Sequence, residues 1–178
     1  GQFKSRLPAK WHPEFTQGVI ILLNVGIVAA FFPTPGHIDD PERGSNTVSV
    51  PEIIQSVRAA CTALSQAHGQ GREGTEAFPE DIKPAFQRLL ALPDTHPEGV
   101  RRSATTLDGL IRSLLEMLRE ERLVAPLDEQ ATPVSYFATE RLRQMLRRRA
   151  GTLLECCHDL LSHAETPGGG GADAAQGA

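Results

Sequence analysis

Apolar and polar positions alternate along this chain with the three- and four-residue steps of helices, broken at glycine and proline. The first apolar run, Val19 to Phe32, is interrupted only by Asn24 and Gly26 and closes at Pro33, Pro35 and Gly36. At about fourteen residues it falls short of the roughly twenty that cross a bilayer, so it reads as a buried core helix. Residues 36–47 are turn formers and charges and read as a loop. Ser49-Val-Pro-Glu52 has the spacing of a capping box with proline in the first turn. It should start a helix whose stripe is Ile53, Ile54, Val57, Cys61 and Leu64, ending near His68 and Gly69.

Residues 69–77 form a polar, glycine-rich connection. Pro79 opens the next helix, with Ile82, Ala85, Phe86, Leu89 and Leu90 on one face; Pro84 confines its regular part to the residues after the first turn, and Pro93 ends it. The spacing of Thr105 to Asp108 predicts a cap for a third helix, which carries Leu107, Leu110, Ile111, Leu114 and Leu118 on one side and runs to about Glu121. On its outer face, Asp108 with Arg112 and Glu116 with Arg119 are placed to pair. Leu123 to Leu127 and Val134 to Ala138 suit a two-stranded ribbon or extended loop. A last helix follows Thr139, with Leu142, Met145, Leu146, Leu153, Cys157, Leu160 and Leu161 on its stripe, and fades by His163.

The fold class is therefore all-α, mainly helical with a short β-ribbon near 123–138, as an irregular helical bundle or a segment of helical repeat. Three regions are expected: residues 1–47 with the core helix and a loop, a helical domain over 48–163, and a Gly/Ala-rich tail over 164–178. The tail holds too little apolar surface to offset its ordering entropy and is expected to be disordered. Because the chain opens on Gly1 rather than Met, it reads as a piece of a longer protein.

Charged residues are 22% of the 178 and the net charge is −4, which gives no global bias towards nucleic acid or anionic membrane. Three cysteines are too few for a disulfide framework and point to a reducing, intracellular compartment, cytoplasmic or nuclear. The basic residues ahead of Val19–Phe32 and the small residues near Ala29 and Ala30 also fit a targeting or anchoring segment. Membrane attachment through 19–32 is thus an alternative to burial.

Chemistry-bearing motifs are sparse. Gly69-Gln-Gly71-Arg-Glu-Gly74 has the spacing of a dinucleotide fingerprint but follows a helix instead of a strand, which makes it a linker. Cys156, Cys157, His158 and His163 lack the paired spacing of zinc ligands, and neighbouring helical side chains diverge by about 100°. His37, Asp39 and Asp40 sit among turn-forming residues and read as solvated loop. No P-loop, two-histidine zinc helix or nucleophilic motif occurs, so no catalysis, metal or cofactor is expected.

The strongest polar feature is Arg141, Arg143, Arg147, Arg148 and Arg149 on the last helix, opposed by Glu140 alone. Such a face could contact phosphate or an acidic partner, although no interleaved aromatic offers a base-stacking platform. The order helix, helix, ribbon, helix over residues 79–163 resembles a winged-helix arrangement, with 105–121 in the recognition position and 123–138 as the wing. The resemblance is one of topology and implies a nucleic-acid-binding or regulatory protein. Against it, the outer face of 105–121 carries Asp108, Glu116 and Glu120 beside Arg112 and Arg119, whereas base reading calls for basic or amide side chains. The leading expectation is a non-enzymatic helical interaction or scaffold module in a multi-subunit assembly.

Overall fold

Each predicted stripe has a counterpart as far as it falls on the residues that the computed structural model describes, 17–40, 42, 44–69, 82–95 and 106–149. Along these run α1 (Gln17–Phe31), α2 (Pro35–Asp39), β1 (Thr47–Ser49), α3 (Val50–Gly69), α4 (Ile82–Ala91), α5 (Leu107–Glu120), β2 (Val124–Pro126), β3 (Ser135–Ala138) and α6 (Glu140–Arg149). The protein is mainly helical with one small antiparallel sheet.

Helix α1 is apolar on nearly every side because most of its surface is buried, with Ile20, Ile21, Asn24, Ala29 and Ala30 partly accessible. It packs on α3, α4 and β1, and Val19, Leu22, Leu23, Ile27 and Phe31 are all but inaccessible to solvent. Its one polar interruption is satisfied locally, since Asn24 Nδ2 donates to the Ile20 carbonyl at 2.8 Å. Among the described residues no helix is long and apolar enough to cross a membrane. The same core takes in Ile53 and Val57 of α3, Phe86 and Leu89 of α4, Leu110, Ile111 and Leu114 of α5, and Leu142 and Leu146 of α6. Residues from both sides of the expected boundary at 47/48 thus share one core.

Of the capping box that the spacing predicts, the half supplied by Glu52 forms, while the Ser49 hydroxyl turns to the Glu52 carboxylate. Glu52 accepts from the Ser49 backbone N–H at 2.7 Å and from the Ser49 hydroxyl at 2.6 Å. These bonds hold the Glu52 carboxyl below its ordinary pKa, the serine hydroxyl contributing most. A depressed carboxylate stabilises the fold above its unfolded pKa and loses that contribution as pH falls through the folded value. Ser49→Ala should therefore cost about 1 kcal/mol at neutral pH. Urea denaturation at pH 7 and pH 4 should show the difference from the parent shrinking on the acid side.

Four expectations need correction. Residues 36–47 are not one loop: Pro35, with its φ preset for a first helical position, opens the short α2, and β1 follows. The cap of α5 lies one residue later than Thr105: the Thr106 hydroxyl accepts from the Gly109 N–H at 3.1 Å, so the helix starts at Leu107. Arg119 bonds Glu129 of the β2–β3 loop at 2.5 Å instead of Glu116. The ribbon is three-stranded. Asp108 and Arg112 do pair, at 2.9 Å.

In the sheet β3 is central, with order β1-β3-β2, and pairs Val124 with Ala138, Pro126 with Tyr136, and Val48 with Tyr136. Leu127 N–H donates to Ser135 O and Thr139 N–H to Leu123 O. By alternation, Val124 and Pro126 turn their backbone groups away from β3. Proline, lacking a donor, thus costs no ladder bond and blunts the free edge of β2. On the other edge the Ser49 N–H is occupied by Glu52. Where β1 stops short, the Ser45 hydroxyl bonds both the N–H and the carbonyl of Ala138, 93 residues away.

The wing-like order of α5, hairpin and α6 is present, while α4 packs on α1 and α3, and α5 packs on α3. The linker over 70–81, the C-terminal part of the last helix and the 164–178 tail lie outside the described residues.

Candidate functional site

The arginine-rich helix α6 is fixed at its start by Thr139, whose hydroxyl donates to the carbonyls of Arg122 at 2.8 Å and Leu123 at 3.0 Å. Leu142 and Leu146 then anchor it in the core. Arg143 and Arg147 each follow one of these leucines and lie four residues apart, so both flank the buried stripe. They reach α2, whose last carbonyls have no partner within a single short helix.

Arg147 Nε donates to Ile38 O at 2.8 Å and its Nη2 to Asp39 O. Arg143 is only 4% exposed. Its guanidinium lies 5.6 Å from the centroid of the Phe32 ring, and Nη1 reaches Asp40 O at 3.4 Å and Glu140 at 3.6 Å. Its Nε is buried without a partner. Two of the five arginines thus bind α6 to α2, a C-terminal cap supplied from a distant part of the sequence. Arg147 stays exposed while it makes these bonds; Arg141 and Arg148 are also exposed, whereas the side chain of Arg149 lies outside the described residues.

The two arginines bonded to α2 and the residue after it should respond differently to loss of charge. Burying a guanidinium is costly and the bonds of Arg143 are long, so Arg143→Met should leave stability within about 1 kcal/mol of the parent. Arg147→Met removes charge-assisted bonds to two carbonyls and should cost about 1–2 kcal/mol. Paired urea titrations would check the order; a larger loss at Arg143 would show that its bonds are worth more than their lengths suggest.

A second arginine of this kind, Arg58, was not anticipated from the pattern. It projects from α3 to the end of α4, donating to Leu89 O at 2.9 Å, Leu90 O at 2.6 Å, Leu92 O at 2.5 Å and Asp94 Oδ1 at 2.7 Å. The partners lie 31 to 36 residues on, so the only local signal is its position beside Val57 on the flank of the stripe.

Elsewhere the candidate chemistry does not converge. His37 Nδ1 shares a hydrogen bond with Thr34 Oγ1 at 2.7 Å, and among the described residues no three His, Cys, Asp or Glu side chains come together as a metal site. Burial pushes the Cys61 thiol up to about 12, against a weaker opposing effect of Arg58, so at neutral pH it is not a thiolate nucleophile. Gly69 closes α3; the rest of its glycine motif, and Cys156, Cys157, His158 and His163, lie outside the described residues.

Exposed charged residues of α5 and the adjoining hairpin are Glu116, Glu120, Arg122, Asp128 and Glu129, with exposed Arg119 paired to Glu129. At the hairpin turn Leu127 is 66% exposed. The chain matches no protein family, no curated protein and no solved structure in the three comparisons made.

Proposed function

We propose that the chain is a non-enzymatic helical module that binds protein partners within a larger assembly in an intracellular compartment. The observations that support this reading are the engagement of Arg143 and Arg147 by carbonyls of the 38–40 segment and the exposed carboxylates Glu116, Glu120, Asp128 and Glu129 of α5 and the hairpin. A phosphate backbone approaching that side would meet like charge, whereas a protein surface of opposite charge would not. Exposed Leu127 in this polar surround is compatible with an interface of apolar centre and polar rim. Affinity capture of the intact protein from its source, with and without nuclease, tests the proposal. Stoichiometric proteins that survive nuclease are expected; recovery of nucleic acid, or loss of every partner on nuclease treatment, would overturn it.

Winged-helix-like nucleic-acid binding is the second reading, favoured by the hairpin that follows α5 and by exposed Arg141 and Arg148. Weighing against it, the outward positions of α5 carry Asp108, Glu116 and Glu120 beside Arg112 and Arg119, whereas base reading calls for basic or amide side chains. If this reading holds, Arg141→Ala with Arg148→Ala lowers duplex affinity for all sequences and flattens its salt dependence by about 0.9 in log–log slope per lost phosphate contact. Unchanged affinity in that variant removes it. Attachment to a membrane through residues 19–32 would require α1 to leave the core it fills, and would show as solubility that depends on detergent.

A further inference from the structure

The hold of α6 on α2 is incomplete where it is buried. Arg143 is 4% exposed, yet its Nε has no partner. Its Nη1 contacts are long, at 3.4 Å to Asp40 O and 3.6 Å to Glu140, and its charge lies 5.6 Å from the centre of the Phe32 ring. Arg147 donates to the Ile38 and Asp39 carbonyls but stays exposed. A carboxylate is a stronger acceptor than a carbonyl and can take the Nε and an Nη of one guanidinium together. Arg143, short of partners in the interior, would gain by moving to such an acceptor.

The element these arginines hold is weakly anchored. With five residues and no side-chain cap at its start, α2 is too short to keep its shape alone, and Ile38 is the one buried residue among those of its side chains that are described. The stretch that contains it is tied off at both ends. The Asn46 N–H donates to the Phe31 carbonyl at 2.9 Å, and the Ser45 hydroxyl bonds the N–H and carbonyl of Ala138. A loop whose ends are held together can swing away from the body and leave α1 and the sheet in place.

The loop is also acidic. Ile38-Asp39-Asp40-Pro41-Glu42-Arg43 carries three carboxylates against one arginine, and Asp39 and Glu42 are exposed. Helix α6 has the opposite balance, five arginines against Glu140. The internal occupant of the basic helix is therefore an acidic segment held through its main chain. An external acidic segment, offering carboxylates where α2 offers carbonyls, fits the same arginines better.

We infer that α2 is an autoinhibitory strap, displaced from α6 by a carboxylate-rich segment of a protein partner that takes over Arg143 and Arg147. Exposed Arg148, about 100° round the helix from Arg147, extends the uncovered surface. Burial of Ile38 favours the closed state, so the ligand opens the strap only by the margin with which it prefers the open one. This goes beyond the interaction-module reading, adding to the carboxylates of α5 and the hairpin a gated surface of opposite charge.

Hydrogen exchange of the full chain, with and without an oligoglutamate peptide at low salt, is the test. The amides of His37 and Asp40, bonded within the strap to Thr34 O and Gly36 O, should lose protection as the peptide saturates, while α1 and the sheet keep theirs. In fluorescence anisotropy, Arg143→Met should weaken the labelled peptide at least about tenfold, and Ile38→Ser should tighten it by removing the anchor of the closed state. The exchange measurement on the parent stands even if Ile38→Ser fails to fold. A peptide that does not bind, or that binds while His37 and Asp40 stay protected, would overturn the inference, as would a DNA duplex that opens the strap where the peptide does not. If the strap stays closed under the peptide while the intact protein still captures proteins, this inference falls and the interaction-module reading stands.

Discussion

Gly26→Ala should destabilise the protein by about 2 kcal/mol, although alanine is the better helix former by about 1 kcal/mol. A Cβ at Gly26 would lie 2.4 Å from Val57 Cγ2, 2.8 Å from Val57 Cα and 3.0 Å from Val57 N. The first clash could be relieved by a rotamer change at Val57. The other two are with backbone, so α1 and α3 must move apart. Their separation would open gaps along a core seam that includes Leu22, Leu23, Ile53 and Cys61, and tightly packed interiors absorb such shifts poorly. Thermal unfolding followed by circular dichroism should show a midpoint lowered by roughly 4–12 °C. Adding Val57→Ala should recover only part of the loss, because the clash with the backbone of residue 57 persists. A midpoint unchanged or raised would mean that the two helices do not cross this closely.

Arg58→Ala should cost about 2–3 kcal/mol, more than a surface ion pair would suggest. The side chain is 27% exposed and supplies donors to three carbonyls at the end of α4 as well as to Asp94. Removing it leaves those carbonyls at a helix end without their internal donor. Arg58→Lys should recover little, since a single ammonium cannot serve carbonyls and a carboxylate spread around a planar fork. Asp94→Ala should cost no more than about 1 kcal/mol, because Asp94 is 55% exposed and its loss leaves the carbonyl bonds in place. Urea titrations of the three variants would establish the order; equal losses at Arg58 and Asp94 would assign the effect to the ion pair instead of the helix end.

Gly26 meets Val57, and Arg58 meets the end of α4, across long stretches of chain, and it is at such meetings that sequence and structure part. Local patterns were legible. The stripe Ile53, Ile54, Val57, Cys61 and Leu64 is buried on α3, the apolar face Leu107, Leu110, Ile111, Leu114 and Leu118 on α5, and Glu52 reaches back to the Ser49 N–H as their spacing predicts. Hydrophobic period and capping chemistry act within one or two turns, so one stretch of sequence contains all the partners involved. The alternation around residues 123–138 likewise sufficed for the β2–β3 hairpin.

Strand β1 was not legible, because three residues with a single buried apolar side chain between them, Val48, carry too little pattern, and their partner β3 lies far along the chain, with Val48 set against Tyr136. The arginines of α6 show the same limit in the candidate site. Composition marked Arg141, Arg143, Arg147, Arg148 and Arg149 as one basic face, but only the placement of α2 beside the helix decided that Arg143 is buried and that Arg147 is bonded to carbonyls of α2. The sequence by itself determined the longer helical stretches α1, α3, α4, α5 and α6 among the described residues, their buried faces and where α3 starts, but not the short α2. The tertiary structure decided which charged groups remain available to a partner, because a guanidinium is directed by carbonyls that the fold brings to it from elsewhere in the chain.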